Sequence, residues 1–175
     1  MPKAERRTIS FLLNGDPVEV TVPVTRYLVD VLREDLAMMG TKRACDQGAC
    51  GSCSVVMDGA LISSCLVLAV RAEGASIQTI EGLGSIEGGL HPLQKSFASH
   101  GATQCGYCTP GMIVAGKALL DENPDPSVEE IKHWLTGNLC RCTGYAKIIE
   151  AIRAVAEGRT EPAFPITVPT VKAHG

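Results

Sequence analysis

At 175 residues with a net charge of −3, and with 45% hydrophobic and 20% charged residues, the chain has the composition of one or two small globular domains and not of a disordered segment. No basic stripe is available to neutralise phosphates, which argues against nucleic acid, and no stretch reaches the roughly 18 apolar residues that span a bilayer. Aromatic residues make up only 4%, so the apolar core is thin, and small domains of this kind lean on metal sites for stability.

From the N-terminus, Thr8 to Leu13 read as a strand, Asn14-Gly15 supply a turn and Val18 to Val22 alternate as a second strand, making a hairpin. Arg6-Arg7 ahead of this run suggest a twin-arginine export signal. The apolar run stops at Asn14-Gly15-Asp16, however, too short for a signal peptide, and a cytoplasmic location is expected. Thr25 is placed to cap a helix whose apolar residues Leu28, Val31, Leu32 and Leu36 recur at helical spacing and would pack on the sheet. After a glycine-rich loop, Ser54 to Met57, an Asp58-Gly59 turn and Ala60 to Ile62 form a second hairpin, with Ser76 to Ile80 a further strand. Residues 1–80 therefore read as a small mixed α+β domain.

Residues 81–89 are dense in glycine and lack periodicity, as a linker does. Beyond them the apolar period changes to that of helices, and four can be placed. The first runs from Pro92 to His100, with proline at its first position and Gly101 after its end. Thr109-Pro110 open a second, with Met112, Ile113, Gly116, Leu119 and Leu120 on one face. Ser127 and Glu130 form a capping box for the third, which carries Val128, Ile131, Trp134 and Leu135 inward. Thr143 is placed to cap the fourth, striped by Tyr145, Ile148, Ile149, Ile152 and Val155. Residues 90–158 thus suggest a compact four-helix bundle domain, and the prolines at 162, 165 and 169 suggest that residues 159–175 form an extended tail anchored on a partner subunit.

Eight cysteines carry the chemistry: Cys45, Cys50 and Cys53 at spacings of four and two with Cys65 following, then Cys105-x2-Cys108 with Cys140-x-Cys142. Two four-thiolate sites account for all of them. The first spacing is the ligand pattern of a plant-type 2Fe–2S site, so electron transfer is the leading reading. Disulfides would call for a secreted chain, and structural zinc fits two matched C-x2-C knuckles better than three cysteines in one loop with a lone fourth. Gly48 and Gly51 allow the first loop to curl so that its N–H groups point at the sulfurs. Lys42 and Arg43 are either solvated loop residues or tuning and docking groups. Cys108 and Cys142 each precede a predicted helix capped by Thr109 or Thr143. Two helix N-termini would thereby form a pseudo-symmetric cradle for the second site.

The histidines His91, His100, His133 and His174 are scattered and none flanks a cysteine, and Trp134 reads as helical core. No Ser-His-Asp set, paired-carboxylate site or phosphate loop is present, so no catalytic residue and no substrate chemistry is expected on this chain.

Three segments carry a resemblance: Cys45-Asp46-Gln47-Gly48-Ala49-Cys50-Gly51-Ser52-Cys53, Gln104-Cys105-Gly106-Tyr107-Cys108-Thr109-Pro110-Gly111, and Gly137-Asn138-Leu139-Cys140-Arg141-Cys142-Thr143-Gly144-Tyr145. Together they resemble the iron–sulfur subunit of the xanthine oxidase family of molybdenum hydroxylases, over roughly Thr8 to Val155. The resemblance implies a β-grasp ferredoxin domain ahead of the four-helix domain. It implies one 2Fe–2S cluster on Cys45, Cys50, Cys53 and Cys65 and another on Cys105, Cys108, Cys140 and Cys142. It further implies a large molybdopterin subunit and a medium FAD subunit as partners, in a dimer of heterotrimers, with electrons running from molybdenum to the second cluster, the first, and flavin. By the same resemblance Gln104 and Cys142 approach the pterin. Ala44 departs from the glycine common in the family, which predicts an altered loop entry. A free-standing two-cluster ferredoxin and a zinc-stapled interaction module are the alternatives.

Overall fold

The structure, a computed structural model, describes residues 5–85 and 88–159. The expected tail from Thr160 onward, His174, and Ile86-Glu87 of the expected linker lie outside the described residues.

The first hairpin joins β1 (Arg6–Leu13) to β2 (Asp16–Pro23), and its turn residues Asn14 and Gly15 have φ of 55° and 93°, the left-handed backbone that a tight hairpin requires. Asn14 does more than turn the chain. Its Oδ1 accepts from Thr79 N at 2.8 Å and its Nδ2 donates to Thr79 Oγ1 at 3.0 Å, tying the hairpin tip to the end of a distant strand. That strand, β5 (Ser76–Gln78), lies parallel to β1 and antiparallel to β3 (Ser54–Met57), which pairs with β4 (Ala60–Ser63), so the sheet order is β2-β1-β5-β3-β4. Ile9, Phe11 and Leu13 alternate inward along β1 to meet Val55 and Ile77, with Leu28, Val31, Leu32, Ala69 and Ala72 closing the core over that face. Each fully buried aliphatic side chain among them contributes about 1.5–3 kcal/mol.

The helix over this sheet departs from expectation. Thr25 does not cap it: α1 spans only Leu28–Asp30, begins after Tyr27, and continues as a π turn over Val31–Asp35. Tyr27 forms a bridge with Leu68, and Leu28 N donates to Val67 O at 2.7 Å, so tertiary pairing fixes where the helix starts. The last predicted strand is shorter too, because Ile80 enters a 3-10 turn to Gly82. Within the expected linker, Glu81 accepts from Gly40 N at 2.7 Å and from Thr79 Oγ1 at 2.6 Å, and Leu83 packs on the helical core.

Four longer helices follow: α2 (Pro92–Ser99), α3 (Thr109–Glu122), α4 (Val128–Trp134) and α5 (Ala146–Ala156). They share one core of Leu93, Phe97, Met112, Ile131, Ile148 and Ile152. The Ser127–Glu130 capping box is present, with Glu130 N to Ser127 Oγ at 3.2 Å and Ser127 N to Glu130 Oε2 at 2.7 Å. A second box went unpredicted: His91 Nδ1 accepts from Leu93 N at 3.2 Å while Gln94 accepts from His91 N at 2.8 Å. Two expected caps fail. Cys108, not Thr109, is the N-cap of α3, and α5 starts at Ala146 after Tyr145, not at a cap by Thr143. Val128 is not buried with Ile131 and Leu135; as the first residue of α4 it stands at the helix end and is 42% exposed. Trp134 is half-buried and donates from Nε1 to Ala115 O at 2.9 Å.

Sheet and helices meet where the loop after Cys50 lies against the start of α3 and the turn before Cys140. Leu139 N donates to Cys50 O at 2.9 Å, and the buried Asn138 donates from Nδ2 to Gly51 O at 3.2 Å. A Cβ on Gly111 would stand 2.3 Å from Gly51 O, a backbone atom with no room to yield. Gly111→Ala is therefore expected to lower stability by about 1–3 kcal/mol, the range for overpacking, read as a fall in the midpoint of thermal unfolding. Gly137→Ala, where an added Cβ meets nothing within 4 Å, is the control and should change stability by less than about 0.5 kcal/mol.

Candidate functional site

Eight free thiols gather in two quartets, and within each quartet they meet in pairs. In the first, Cys45 associates with Cys50 and Cys53 with Cys65. The loop that carries three of them curls through left-handed backbone at Asp46, Gly48 and Gly51, with φ of 55°, 70° and 67°. That curl aims amides at sulfur. Gln47 N reaches Cys45 Sγ at 3.4 Å, joined by the amides of Ala49 and Cys50, and Gly48 N serves Cys65. The Gln47 amide is the main reason the Cys45 thiol drops to about 7, whereas burial, reinforced by Cys53, lifts Cys65 to about 11. Gly51 has a second reason to be glycine: a Cβ there would fall 2.5 Å from Gly137 O and 2.3 Å from Asn138 Nδ2.

Ala44 itself has negative φ, and the first left-handed residue of the loop is Asp46. Lys42 and Arg43 act as struts. Lys42 N donates to Ser52 O at 2.9 Å and its Nζ to Met39 O at 2.6 Å, while Arg43 bridges Asp30 at 2.5 Å and Asp46 at 2.9 Å. These ion pairs are partly exposed, so they hold geometry more than they add stability.

In the second quartet, Cys142 Sγ lies 3.6 Å from Cys105 Sγ, and Cys108 associates with Cys140. Only half of the expected helix cradle forms. Cys108 stands at the N-cap of α3, but burial and its neighbour Cys140 outweigh that position and raise its thiol to about 12. Cys142 is four residues ahead of α5 and on no helix terminus. Burial raises Cys140, yet donors more than offset it: the Thr143 hydroxyl at 3.1 Å, the Thr143 amide at 3.5 Å and the Cys142 amide bring the thiol below its ordinary value. Thr143, expected to cap a helix, instead serves a sulfur.

The two quartets are neighbours. Besides the Cys50–Leu139 and Gly51–Asn138 bonds, Tyr107, within the Cys105–Cys108 loop, donates from its hydroxyl to Arg43 O at 2.6 Å, two residues ahead of Cys45. Sequence reasoning gave Tyr107, Asn138 and Tyr145 no site role; their signal was their place within the cysteine-bearing segments. Gln104, Cys105 and Cys142 are exposed together, and Leu139 beside them is 53% exposed, so the second quartet opens to the surface. Of the described histidines, His91 caps α2 and His100 is buried against Ser96.

The donor set fits a 2Fe–2S rhomb. Each of its two irons takes two thiolates, which is the pairing seen, whereas one tetrahedral ion needs four sulfurs around a point. Among the described residues, no three His, Cys, Asp or Glu side chains converge closely enough to hold a single metal ion.

Comparison with known proteins agrees with this geometry. Residues 11–77 match the 2Fe-2S iron-sulfur cluster binding domain family and residues 79–153 match the [2Fe-2S] binding domain family. The chain is 46% identical over 150 residues to the nicotinate dehydrogenase small FeS subunit of Eubacterium barkeri, covering 86% of this chain and 95% of that one. It is 46% identical over 156 residues to a probable xanthine dehydrogenase subunit of Bacillus subtilis, covering 87% and 89%. Against the crystal structure of quinoline 2-oxidoreductase from Pseudomonas putida 86, the TM-score is 0.85 at 50% identity, covering 89% of this chain and 96% of the matched one. With both cluster-binding domains and near full-length agreement, the chain belongs to the iron–sulfur subunits of the xanthine oxidase family of molybdenum hydroxylases, and its role is electron transfer within an oxidoreductase.

Proposed function

We propose that Cys45, Cys50, Cys53 and Cys65 ligate one 2Fe–2S cluster and Cys105, Cys108, Cys140 and Cys142 the other. When bound, the two clusters supply one-electron carriers between a molybdopterin centre on a large partner subunit and FAD on a medium one. The observation that carries the reading is the Leu139 N to Cys50 O bond of 2.9 Å, which places the residue next to Cys140 against a first-quartet cysteine. A covalent path with a single hydrogen bond then joins Cys140 to Cys50.

The chain's own residues divide the work. Gln104 and Cys142, exposed on the open side of the second quartet, face the pterin-bearing partner, and the struts at Arg43 and Lys42 hold the first loop in shape. Residues 1–80 form a β-grasp ferredoxin domain, 81–89 a connector and 90–158 a four-helix bundle domain. The assembly is a dimer of heterotrimers in the cytoplasm, where thiols stay reduced for ligation. Among the described residues no helix is long and apolar enough to cross a membrane.

Substrate choice lies on the large subunit. Relatives named for nicotinate dehydrogenation, nicotine 6-hydroxylation and aldehyde oxidation match this chain at 46%, 45% and 46% identity, so its residues do not separate those substrates.

In the purified complex, Cys142→Ser is expected to slow flavin reduction by substrate by roughly tenfold or more, the scale on which even outer-shell changes act at metal sites, while FAD content stays unchanged. An unaltered rate would remove Cys142 from the route. Ligation is tested by alkylation. In chain stripped of iron, iodoacetamide at pH 7 should label Cys45 first, because its thiol titrates at about 7 and its thiolate fraction grows as pH rises through that value. Cys65 and Cys108, at about 11 and about 12, stay protonated and react slowly, and iron-loaded complex should resist at all three. Equal labelling of loaded and stripped protein contradicts the ligand assignment.

A further inference from the structure

Among the described residues, a side-chain hydroxyl stands on one sulfur of the second quartet and on none of the first. Thr143 Oγ1 lies 3.1 Å from Cys140 Sγ, and Tyr145 N donates to that same oxygen at 3.2 Å. A hydroxyl has one proton to give; with the amide occupying a lone pair, the proton is directed at the sulfur. Tyr145 is itself held firmly. Its backbone has φ of 67°, rare for a bulky residue, and its phenol accepts from Cys140 N at 2.8 Å and donates to Asn138 O at 3.3 Å. That strained backbone persists because these bonds fix it, and it delivers the amide that orients Thr143. In the first quartet the donors to sulfur, among the described residues, are backbone amides and neighbouring thiols. Ser64, the nearby hydroxyl, donates to Cys53 O at 2.7 Å and not to its sulfur.

From this asymmetry we propose that Thr143 is a positioning residue that raises the reduction potential of the second centre, through its hydrogen bond to Cys140 Sγ, relative to the first. The inference rests on the cluster ligation proposed above. An electron arriving from the molybdopterin-bearing partner, which is oxidised by one electron, adds a negative charge beside Cys140. A donor aimed at that sulfur favours the reduced form, because hydrogen bonds to ligand sulfurs strengthen as the charge on them grows. Tyr145 acts one step behind, by holding the hydroxyl in its orientation.

The test is a redox titration of the intact complex followed by low-temperature electron paramagnetic resonance. Thr143→Val, nearly isosteric but without the hydroxyl, should lower the second centre's midpoint by a roughly threefold to tenfold change in the reduction equilibrium, up to about 59 mV for one electron. Thr143→Ser should restore the wild-type value, and the first centre should titrate unchanged in both. Thr143→Ala gives a second reading that takes up less room. An unshifted second midpoint in the valine variant with its signal intact overturns the tuning role alone, as does a serine variant that shifts as far as valine. Loss of the second signal from both the valine and alanine variants, with serine retaining it, makes the hydroxyl a structural support and overturns tuning. Wild-type complex without a second iron–sulfur signal overturns the ligation reading, and this inference with it.

Discussion

One hydrogen bond, from Leu139 N to Cys50 O at 2.9 Å, joins the loop of each thiol quartet to the other, and much of the structure is arranged to allow it. It forms only where two loops approach at backbone distance. Gly51 and Gly111 make that approach possible, since a Cβ on either would fall 2.3 Å from an atom across the junction. Asn138, buried to 3% exposure, spends its amide on Gly51 O at 3.2 Å, so the desolvation of a polar side chain is compensated inside the contact. Tyr107 adds a third bond from the second loop to the first. Sheet and helical half therefore present their sulfurs as parts of one object.

The two quartets are built by different means. The first relies on curl: left-handed residues at Asp46, Gly48 and Gly51 turn amides toward Cys45 and Cys65. The second relies on side chains, with Thr143 on Cys140 and Tyr145 locking the turn between them. The second is also the more open, with Cys105 and Cys142 both exposed, while Cys53 and Cys65 of the first are buried. An exposed thiol pair in one quartet and a buried one in the other make the two sites unequal, which suits a subunit whose task is electron transfer.

Much of this was legible in the sequence, for physical reasons that differ by element. Asn14-Gly15 and Asp58-Gly59 supply the left-handed backbone that tight hairpins need, so both turns and their strands follow from residue type alone. The Ser127–Glu130 box is local chemistry, and it stands where the spacing puts it. The cysteine spacing carried the partition into two quartets and the family. What escaped was decided across the chain: Thr25 lost its helix start to the pairing of Tyr27 with Leu68, and Thr143 its cap to a sulfur three residues upstream. Asn138 meets Gly51 across 87 positions, a distance over which neither period nor propensity speaks. The His91 box escaped because histidine is an uncommon cap, although Gln94 three residues on was its visible half.

Through its inter-loop hydrogen bonds, the junction holds the two thiol quartets side by side. Its most direct measurement is the low-temperature electron paramagnetic resonance spectrum of the fully reduced complex. If the junction is as described, the two paramagnetic centres broaden and split each other's lines, and the interaction fades when only one centre is reduced. Two signals that simply superpose, identical at partial and full reduction, contradict it.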